Sequence, residues 1–164
     1  MRRVAVTGMG LVAPCGNSPE EFFANLVAGR SGIGVLPKMS ARLATRIAAA
    51  ASFDASAHFP APRLRMLDRV SQLALVAAAQ ALRDAAIELS DDERAAAGVF
   101  LGTGMGGAAT TDDGYNTLYR ESSDRIKPYT VLMAMNNAAA SWIGIEQRLS
   151  GPNLTFSTAC SSSA

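Results

Sequence analysis

Residues 151–164 read GPNLTFSTACSSSA, and this stretch decides the fold. Gly151 and Pro152 end a preceding helix, and the residues NLTFST that follow have the apolar and β-branched composition of a strand. Cys160 comes directly after this strand and is followed by small residues. The pattern predicts a strand, a sharp turn at the cysteine and the start of a buried helix.

Cys160 has two interpretations at this point. A cysteine at the start of a helix faces backbone N–H groups and the positive end of the helix dipole, which favour the thiolate. Its own N–H would point the same way and could stabilise an oxyanion. Against this, free cysteine is among the most buried residue types, so from spacing alone a packed Cys160 is favoured over a nucleophile. For Cys15, in the turn APCGNS, we favour packing in a loop.

Predicted strands and helices alternate along the rest of the chain. Ser18, Pro19 and Glu21 have the spacing of a capping box with proline at the first helical position. The predicted strands cover residues 3–7, 98–102 and 153–158, and the predicted helices cover 19–28, 67–87 and 131–148. Residues 46–53 are ambiguous between helix and strand, and we favour a strand. The sequence SDDERAAA predicts a short capped turn, and the polar stretch 110–126 predicts a surface helix and loop. This alternation predicts an α/β layered fold with at least partly parallel strands.

Composition excludes several classes of function. The chain has 164 residues, enough for one medium domain, with 49% hydrophobic and 18% charged residues. A net charge of +1 gives no field that would attract nucleic acid or a membrane surface. We expect no membrane helix, because no apolar run reaches about 18 residues, and no signal peptide. Two cysteines and one histidine, His58, predict reduced thiols, no metal site and a cytoplasmic protein.

Two glycine patterns resemble a dinucleotide-binding fingerprint, G-x-G-x-x-G/A. They lie after predicted strands, at Gly8, Gly10 and Ala13 and at Gly102, Gly104 and Gly107. A nucleotide site also needs an acidic residue about 20 positions further on, at a strand end, and neither pattern has one. We therefore favour glycines that allow tight turns and close backbone packing.

Four segments, taken in order, resemble a known family. They are VAVTGMGLVAPCG, MLDRVSQLALVAAAQAL, GVFLGTGMGG and NNAAASWIGIEQRLSGPNLTFSTACSSSA. Together they are similar to the N-terminal half of β-ketoacyl-acyl carrier protein synthases, the condensing enzymes of type II fatty acid and polyketide synthesis. The resemblance implies a thiolase-like layered αβαβα fold. Residues 1–164 would be its N-terminal domain, truncated just after the nucleophile, with the C-terminal half absent.

The resemblance also implies a reaction without cofactor or metal. Cys160 would be the nucleophile and accept an acyl group from an acyl carrier protein, and its N–H would form part of the oxyanion hole. A malonyl-carrier donor would then decarboxylate and attack the thioester. The family places two histidines and a lysine in its second half, so residues 1–164 alone are predicted to be inactive. The alternative is a non-catalytic truncated or partner subunit that binds acyl chains or a dimer mate.

Further site residues follow from the same resemblance. Met105, Thr130 and Ala159 are predicted to contact the acyl substrate, with core packing as the alternative for Met105, and also for Met133 and Met135. The basic residues Arg63, Arg65 and Arg69 are predicted to contact the acidic carrier protein, with a solvated basic face as the alternative. The protein is predicted to form a homodimer or to pair with a ketosynthase-like subunit, with no nucleic acid or membrane partner.

Overall fold

The computed structural model describes residues 3–36 and 43–163, which divide between two compact units. The first unit consists of Met1–Asp54 and Val76–Ala86, and the second of Ala55–Leu75 and Ile87–Ala164. The long helix α3, Arg69–Ala85, contributes residues to both. It matches the helix that the apolar spacing predicts over residues 67–87.

The described residues of the first unit form a helix and a small sheet, together with part of α3. Helix α1 covers Pro19–Val27, as the capping pattern predicts, and the Ser18 hydroxyl accepts a hydrogen bond from the Glu21 N–H at 3.2 Å. Strands β1, Ile33–Val35, and β2, Ile47–Ala49, pair antiparallel. Strand β2 occupies only part of the strand predicted at 46–53.

The predicted buried strand at residues 3–7 is wrong. These residues form no strand in the part of the chain that the structure describes, and Val4 and Val6 are 94% and 82% exposed. Their apolar alternation is that of a strand, but no described strand lies alongside to complete the hydrogen bonds. The pattern of a segment indicates that it can form a strand, but it does not show which other strand it would pair with.

The first glycine pattern packs against a helix. A Cβ atom added to Gly8 would lie 2.2 Å from the carbonyl oxygen of Ala81, and one added to Gly10 would lie 2.1 Å from that of Ala77. Both contacts are with α3, so the glycines allow the backbone to approach the helix closely. The packing interpretation of this pattern is confirmed.

The second unit is built around two parallel strands. Its helices are α2, Ala61–Leu64; α4, Asp91–Ala96; α5, Ala108–Tyr115; α6, Thr130–Ala134; and α7, Ala138–Gln147. Strand β3, Val99–Gly102, pairs parallel with β4, Asn153–Phe156, in a register that runs from Val99 opposite Asn153 to Gly102 opposite Phe156. The predictions of parallel strands and of a strand at 98–102 are therefore confirmed.

The helix predicted over residues 131–148 is interrupted. Helices α6 and α7 are separated at residues 135–137, where Met135 takes an extended backbone with ψ 138°. The buried positions of α7 are mostly small, and they include Ala139 and Ala140, which are 1% and 0% exposed. Such small side chains let a helix lie close to a sheet. The Asn153 side chain donates to the Ala140 carbonyl at 3.0 Å, which joins α7 to β4.

A buried carboxylate connects α3 to α5. Asp68 is 4% exposed and caps α3 by accepting from the Val70 N–H at 2.9 Å. Its other oxygen accepts from the N–H and the hydroxyl of Thr110, at 2.8 and 2.6 Å. Because a buried carboxylate needs such donors, Asp68 fixes the start of α3 and its contact with α5 together.

Helix α4 begins with a full capping box, where the sequence predicts a short capped turn. The Ser90 hydroxyl accepts from the Glu93 N–H at 3.3 Å, and the Glu93 carboxylate accepts from the Ser90 N–H at 2.8 Å and from its hydroxyl at 2.7 Å. The two bonds that Ser90 donates to the Glu93 carboxylate lower the pKa of Glu93 below its ordinary value of 4.5. The bond from the backbone N–H has the larger effect, and the bond from the hydroxyl has the smaller one.

We predict that Glu93→Gln destabilises the natural protein at pH 7 and that the difference from wild type disappears in acid. A lowered folded-state pKa stabilises the fold above the unfolded value of 4.5, and this contribution is lost as the pH falls through the folded-state pKa. The measurement is the midpoint of thermal unfolding between pH 7 and pH 3.

The matched control is Asp92→Asn, which removes a negative charge from the same first turn but leaves the Ser90–Glu93 bonds intact. A difference between Glu93→Gln and wild type that stays constant down to pH 3 would contradict the capping role of the carboxylate.

Candidate active site

The candidate site lies at the carboxyl ends of β3 and β4. Because the strands are parallel, the turn that follows each one emerges at the same edge of the sheet. The turns are bonded to each other: the Thr103 N–H donates to the Phe156 carbonyl at 2.9 Å, and the Ser157 hydroxyl donates to the Gly104 carbonyl at 3.4 Å. The glycine-rich loop after β3 therefore borders the turn that carries Cys160.

Cys160 sits in a single exposed turn. A 3-10 helix covers Ala159–Ser161, and Ala159 before the cysteine has a left-handed backbone with φ 54°. Cys160 is exposed among the described residues, whereas Cys15 is only partly exposed. The sequence predicts a sharp turn into a buried helix, and the structure has the turn followed by one short helical turn. The arrangement presents a thiol at the end of a strand, where a reactant can reach it.

The loop after β3 packs tightly against this turn. A Cβ atom added to Gly102 would lie 2.3 Å from the carbonyl oxygen of Ser162, and one added to Gly107 would lie 2.2 Å from that of Met133. At both positions a side chain would overlap neighbouring backbone, so the packing interpretation holds for Gly102 and Gly107. It does not hold for Gly104, where an added Cβ atom would have nothing within 4 Å.

The three residues predicted to contact substrate occupy different surroundings. Thr130 is half-buried at the first position of α6 and lines an apolar cavity of about 390 Å³. Ala159 lies in the cysteine turn, and Met105 is 77% exposed in the loop after β3. Met133 is buried at 7% exposure, which supports the core alternative for that residue.

The apolar cavity also contains residues that the sequence analysis did not single out. Its lining is Thr111, Gly114, Tyr115, Leu118, Ile126, Thr130, Val131, Ala134 and Met135. Tyr115 and Leu118 come from α5 and the π-helix Asn116–Arg120 that continues it, within a stretch whose polar composition predicts only surface. The signal that could have found them is the spacing of Tyr115, Leu118 and Tyr119, which places aromatic and aliphatic side chains on one helical face.

The predicted basic residues also differ from one another. The Arg63 guanidinium pairs with Glu146 and lies 3.9 Å from the ring centroid of Trp142, so it serves internal packing. Arg65 is exposed and lines a second cavity of about 500 Å³ together with Lys127, a residue the sequence analysis missed. Arg69 is exposed at the start of α3.

Membrane-spanning helices and metal-binding groups are both absent from the described residues. Over 3–36 and 43–163, no helix is both long and apolar enough to cross a membrane. In the same ranges, no three histidine, cysteine, aspartate or glutamate side chains come together in a group that could hold a metal ion.

Sequence comparison assigns the chain to a family. Residues 1–164 match the family described as "Beta-ketoacyl synthase, N-terminal domain". The chain belongs to the β-ketoacyl synthase family. Among its relatives, the 3-oxoacyl-[acyl-carrier-protein] synthase 2 of Vibrio cholerae is 34% identical over 161 residues, which are 97% of this chain and 39% of the relative. The chain thus spans about two fifths of the length of this synthase.

Solved ketosynthase structures have the same fold. A β-ketoacyl synthase from Burkholderia phymatum is 30% identical with a TM-score of 0.75, and the match covers 99% of this chain and 41% of the other. A type II polyketide ketosynthase, in complex with its acyl carrier protein and bound to the hexaketide, matches with 21% identity and a TM-score of 0.72 over 96% and 42%. The thiolase-like α/β fold class, of which this chain is the N-terminal part, is thereby confirmed.

The packing of Gly102 generates a prediction. We expect Gly102→Ala to lower the thermal unfolding midpoint of the natural protein and to displace the turn at Cys160, because the added methyl group would overlap backbone that cannot move independently. The measurements are thermal unfolding and the rate at which iodoacetamide alkylates Cys160, read by peptide mapping.

The matched control is Gly104→Ala, since a Cβ atom at Gly104 would have nothing within 4 Å. If the two variants were equally stable and equally reactive at Cys160, the proposed contact between the loop and the turn would be wrong.

Proposed function

We propose that the protein containing this chain is a β-ketoacyl-acyl carrier protein synthase, with Cys160 as its nucleophile. The observation that carries this proposal is the exposed thiol of Cys160 in a turn at the end of β4. Membership of the β-ketoacyl synthase family supports it. Residues 1–164 are then the N-terminal domain, and a C-terminal half outside this sequence supplies the histidines and lysine that the family uses.

The reaction divides into two acyl transfers. The Cys160 thiolate attacks the carbonyl carbon of an acyl-carrier thioester, and the carrier thiol leaves as the Cys160 thioester forms. The malonyl group of a second carrier then loses carbon dioxide, and the electron pair of the broken bond becomes a carbanion. The carbanion attacks the Cys160 thioester, and Cys160 leaves as thiolate. Backbone N–H donors, including that of Cys160, stabilise the oxyanion formed in each attack.

We propose that the acyl chain contacts Met105, Thr130 and Ala159. Thr130 is supported by its place at the apolar cavity of about 390 Å³, which has the character of a site for hydrocarbon. Ala159 adjoins the nucleophile in sequence, and the exposed, flexible Met105 side chain adapts to chains of different length.

We propose an acyl carrier protein as partner, bound at basic residues. One of the similar solved structures is a ketosynthase in complex with its acyl carrier protein. The favoured contacts are Arg65 and Lys127, which line the same cavity. Arg69 is a further contact. Arg63 is less available to a partner because its guanidinium pairs with Glu146. We further propose that the protein acts in the cytoplasm as a homodimer or with a ketosynthase-like subunit.

The proposal is tested by the reactivity of the two cysteines. In the natural protein, a stoichiometric amount of an acyl-carrier thioester should acylate Cys160 and leave Cys15 free, as mapped by mass spectrometry of peptides. Iodoacetamide should also alkylate Cys160 well before Cys15, because Cys160 is exposed and Cys15 is partly covered. Cys160→Ala should abolish both acylation and condensation.

The control is Cys15→Ala, which should retain acylation of Cys160. Acylation at Cys15, or condensation by the Cys160→Ala variant, would refute the assignment of the nucleophile. Acylation of Cys160 without condensation in the natural protein would favour the non-catalytic subunit.

Carrier recognition gives a separate prediction. Arg65→Glu should raise the KM for an acyl-carrier thioester about three- to tenfold with little change in kcat, because it places a like charge against an acidic partner. The KM of wild type should rise with salt more steeply than that of the variant.

The matched control is Arg83→Glu, an exposed arginine in the last turn of α3. An equal rise in KM for both variants would show that net charge matters and that Arg65 is not a specific contact.

A further inference from the structure

The turn before Cys160 holds a backbone conformation that alanine disfavours. Ala159 has φ 54°, in the left-handed region where the Cβ atom of an L-residue crowds the following carbonyl. A residue stays in such a conformation only when its surroundings impose it. Since Ala159 directly precedes Cys160, whatever imposes this conformation also sets the direction of the thiol.

The Ser162 hydroxyl bonds to the backbone on both sides of Ala159. Its hydroxyl oxygen accepts from the Thr158 N–H at 2.9 Å. As a donor, the same Oγ lies 2.6 Å from the Ala159 carbonyl oxygen and 3.1 Å from the Thr103 carbonyl oxygen. The first two contacts bracket the strained residue. The third ties the turn to the loop after β3, so a single hydroxyl joins the ends of both parallel strands.

The neighbouring serines differ from Ser162. Ser162 is 9% exposed, whereas Ser161 and Ser163 are exposed. The Ser161 hydroxyl bonds to Thr158 at 2.8 Å, within the same turn. A buried hydroxyl with this many partners is costly to replace, because its removal leaves an N–H group without an acceptor.

We propose that Ser162 is a positioning residue for acyl transfer: its hydroxyl holds Ala159 in the left-handed conformation and thereby aims the Cys160 thiol. The inference rests on the proposed function for its catalytic consequence. Its structural part, the restraint of the turn, stands on the hydrogen bonds alone.

The first experiment compares Ser162→Ala with Ser163→Ala in the natural protein. Misplacing a reacting atom by about 1 Å lowers a rate about a hundredfold, so we expect Ser162→Ala to slow the single-turnover transfer of an acyl group from a carrier thioester to Cys160 by about 10- to 100-fold. The KM for that thioester should change by less than about twofold, because the substrate contacts remain. Ser163→Ala should transfer at the wild-type rate.

A second variant tests the route through Ala159. Glycine adopts a positive φ without the penalty of a side chain, so Ala159→Gly added to Ser162→Ala should recover at least about fivefold of the lost rate. Three results would each overturn the proposal. The first is a rate for Ser162→Ala within about twofold of wild type, and the second is an unchanged rate with a raised KM for the thioester. The third is no recovery of the rate in the double variant.

Folding is monitored in the same samples. Alkylation of Cys15, which lies in the other compact unit, should keep its wild-type rate if the effect of Ser162→Ala is local. If Ser162→Ala does not fold, Ser162→Cys replaces it, because sulfur fills a similar volume but is a weak donor and acceptor. The same outcomes then apply, with peptide mapping to locate the acyl group.

A readout without substrate separates this inference from the proposed function. The Thr158 amide should exchange its hydrogen at least about tenfold faster in Ser162→Ala than in wild type, since it loses its acceptor. If wild type accepts no acyl group but this exchange accelerates, the proposed function fails and the restraint by Ser162 stands. Unchanged exchange at Thr158 overturns the restraint, whatever the acylation result.

Discussion

The parallel pairing of β3 with β4 is the interaction on which the rest of the second unit depends. It brings a glycine-rich loop and a cysteine turn, distant in sequence, to the same edge of a sheet. The small residues of α7 cover these strands closely, and the Asn153 side chain bonds α7 to β4. A change in register by one residue would exchange the faces of β4 and move the turn relative to the loop. The pairing of β3 with β4 therefore decides which loop lies beside Cys160, independently of the residues in the turn itself.

Local signals in the sequence predicted the local structure well. Ser18 with Glu21 marked the start of α1, the apolar spacing marked α3, and GPNLTFSTAC marked β4 and the turn after it. The two helices depend mainly on neighbours along the chain, so local pattern is enough to predict them. Strand β4 was recognised from its composition, although it pairs with β3, which is distant in sequence. The exposure of Cys160 was not decided by its own stretch, because exposure depends on which other segments cover the thiol.

One of the two predictions that failed depends on a distant partner. Residues 3–7 have the pattern of a strand but no described partner, and the helix expected over 131–148 breaks at Met135, whose residue type does not indicate a break. Asp68 and Lys127 were missed for the same reason. The role of each comes from a contact with a residue far along the chain, Thr110 for Asp68 and the shared cavity with Arg65 for Lys127. Family resemblance supplied what local pattern could not, and it is the source of every substrate contact proposed.

The close approach of Gly102 to the Ser162 carbonyl has a consequence for building chimeric synthases. A side chain at position 102 would meet the backbone of residue 162 whatever residue stands there, so the restriction concerns position 102 and the path of the turn. A crossover between 102 and 162 would join a loop from one parent to a cysteine turn from another. Such hybrids would keep this packing only when the loop has glycine at 102 and the turn follows the same path, and exchanging the segment from β3 to the end of the turn as one block avoids the mismatch. The loop after β3 and the turn that carries Cys160 are therefore best exchanged together, although most of the second unit's sequence lies between them.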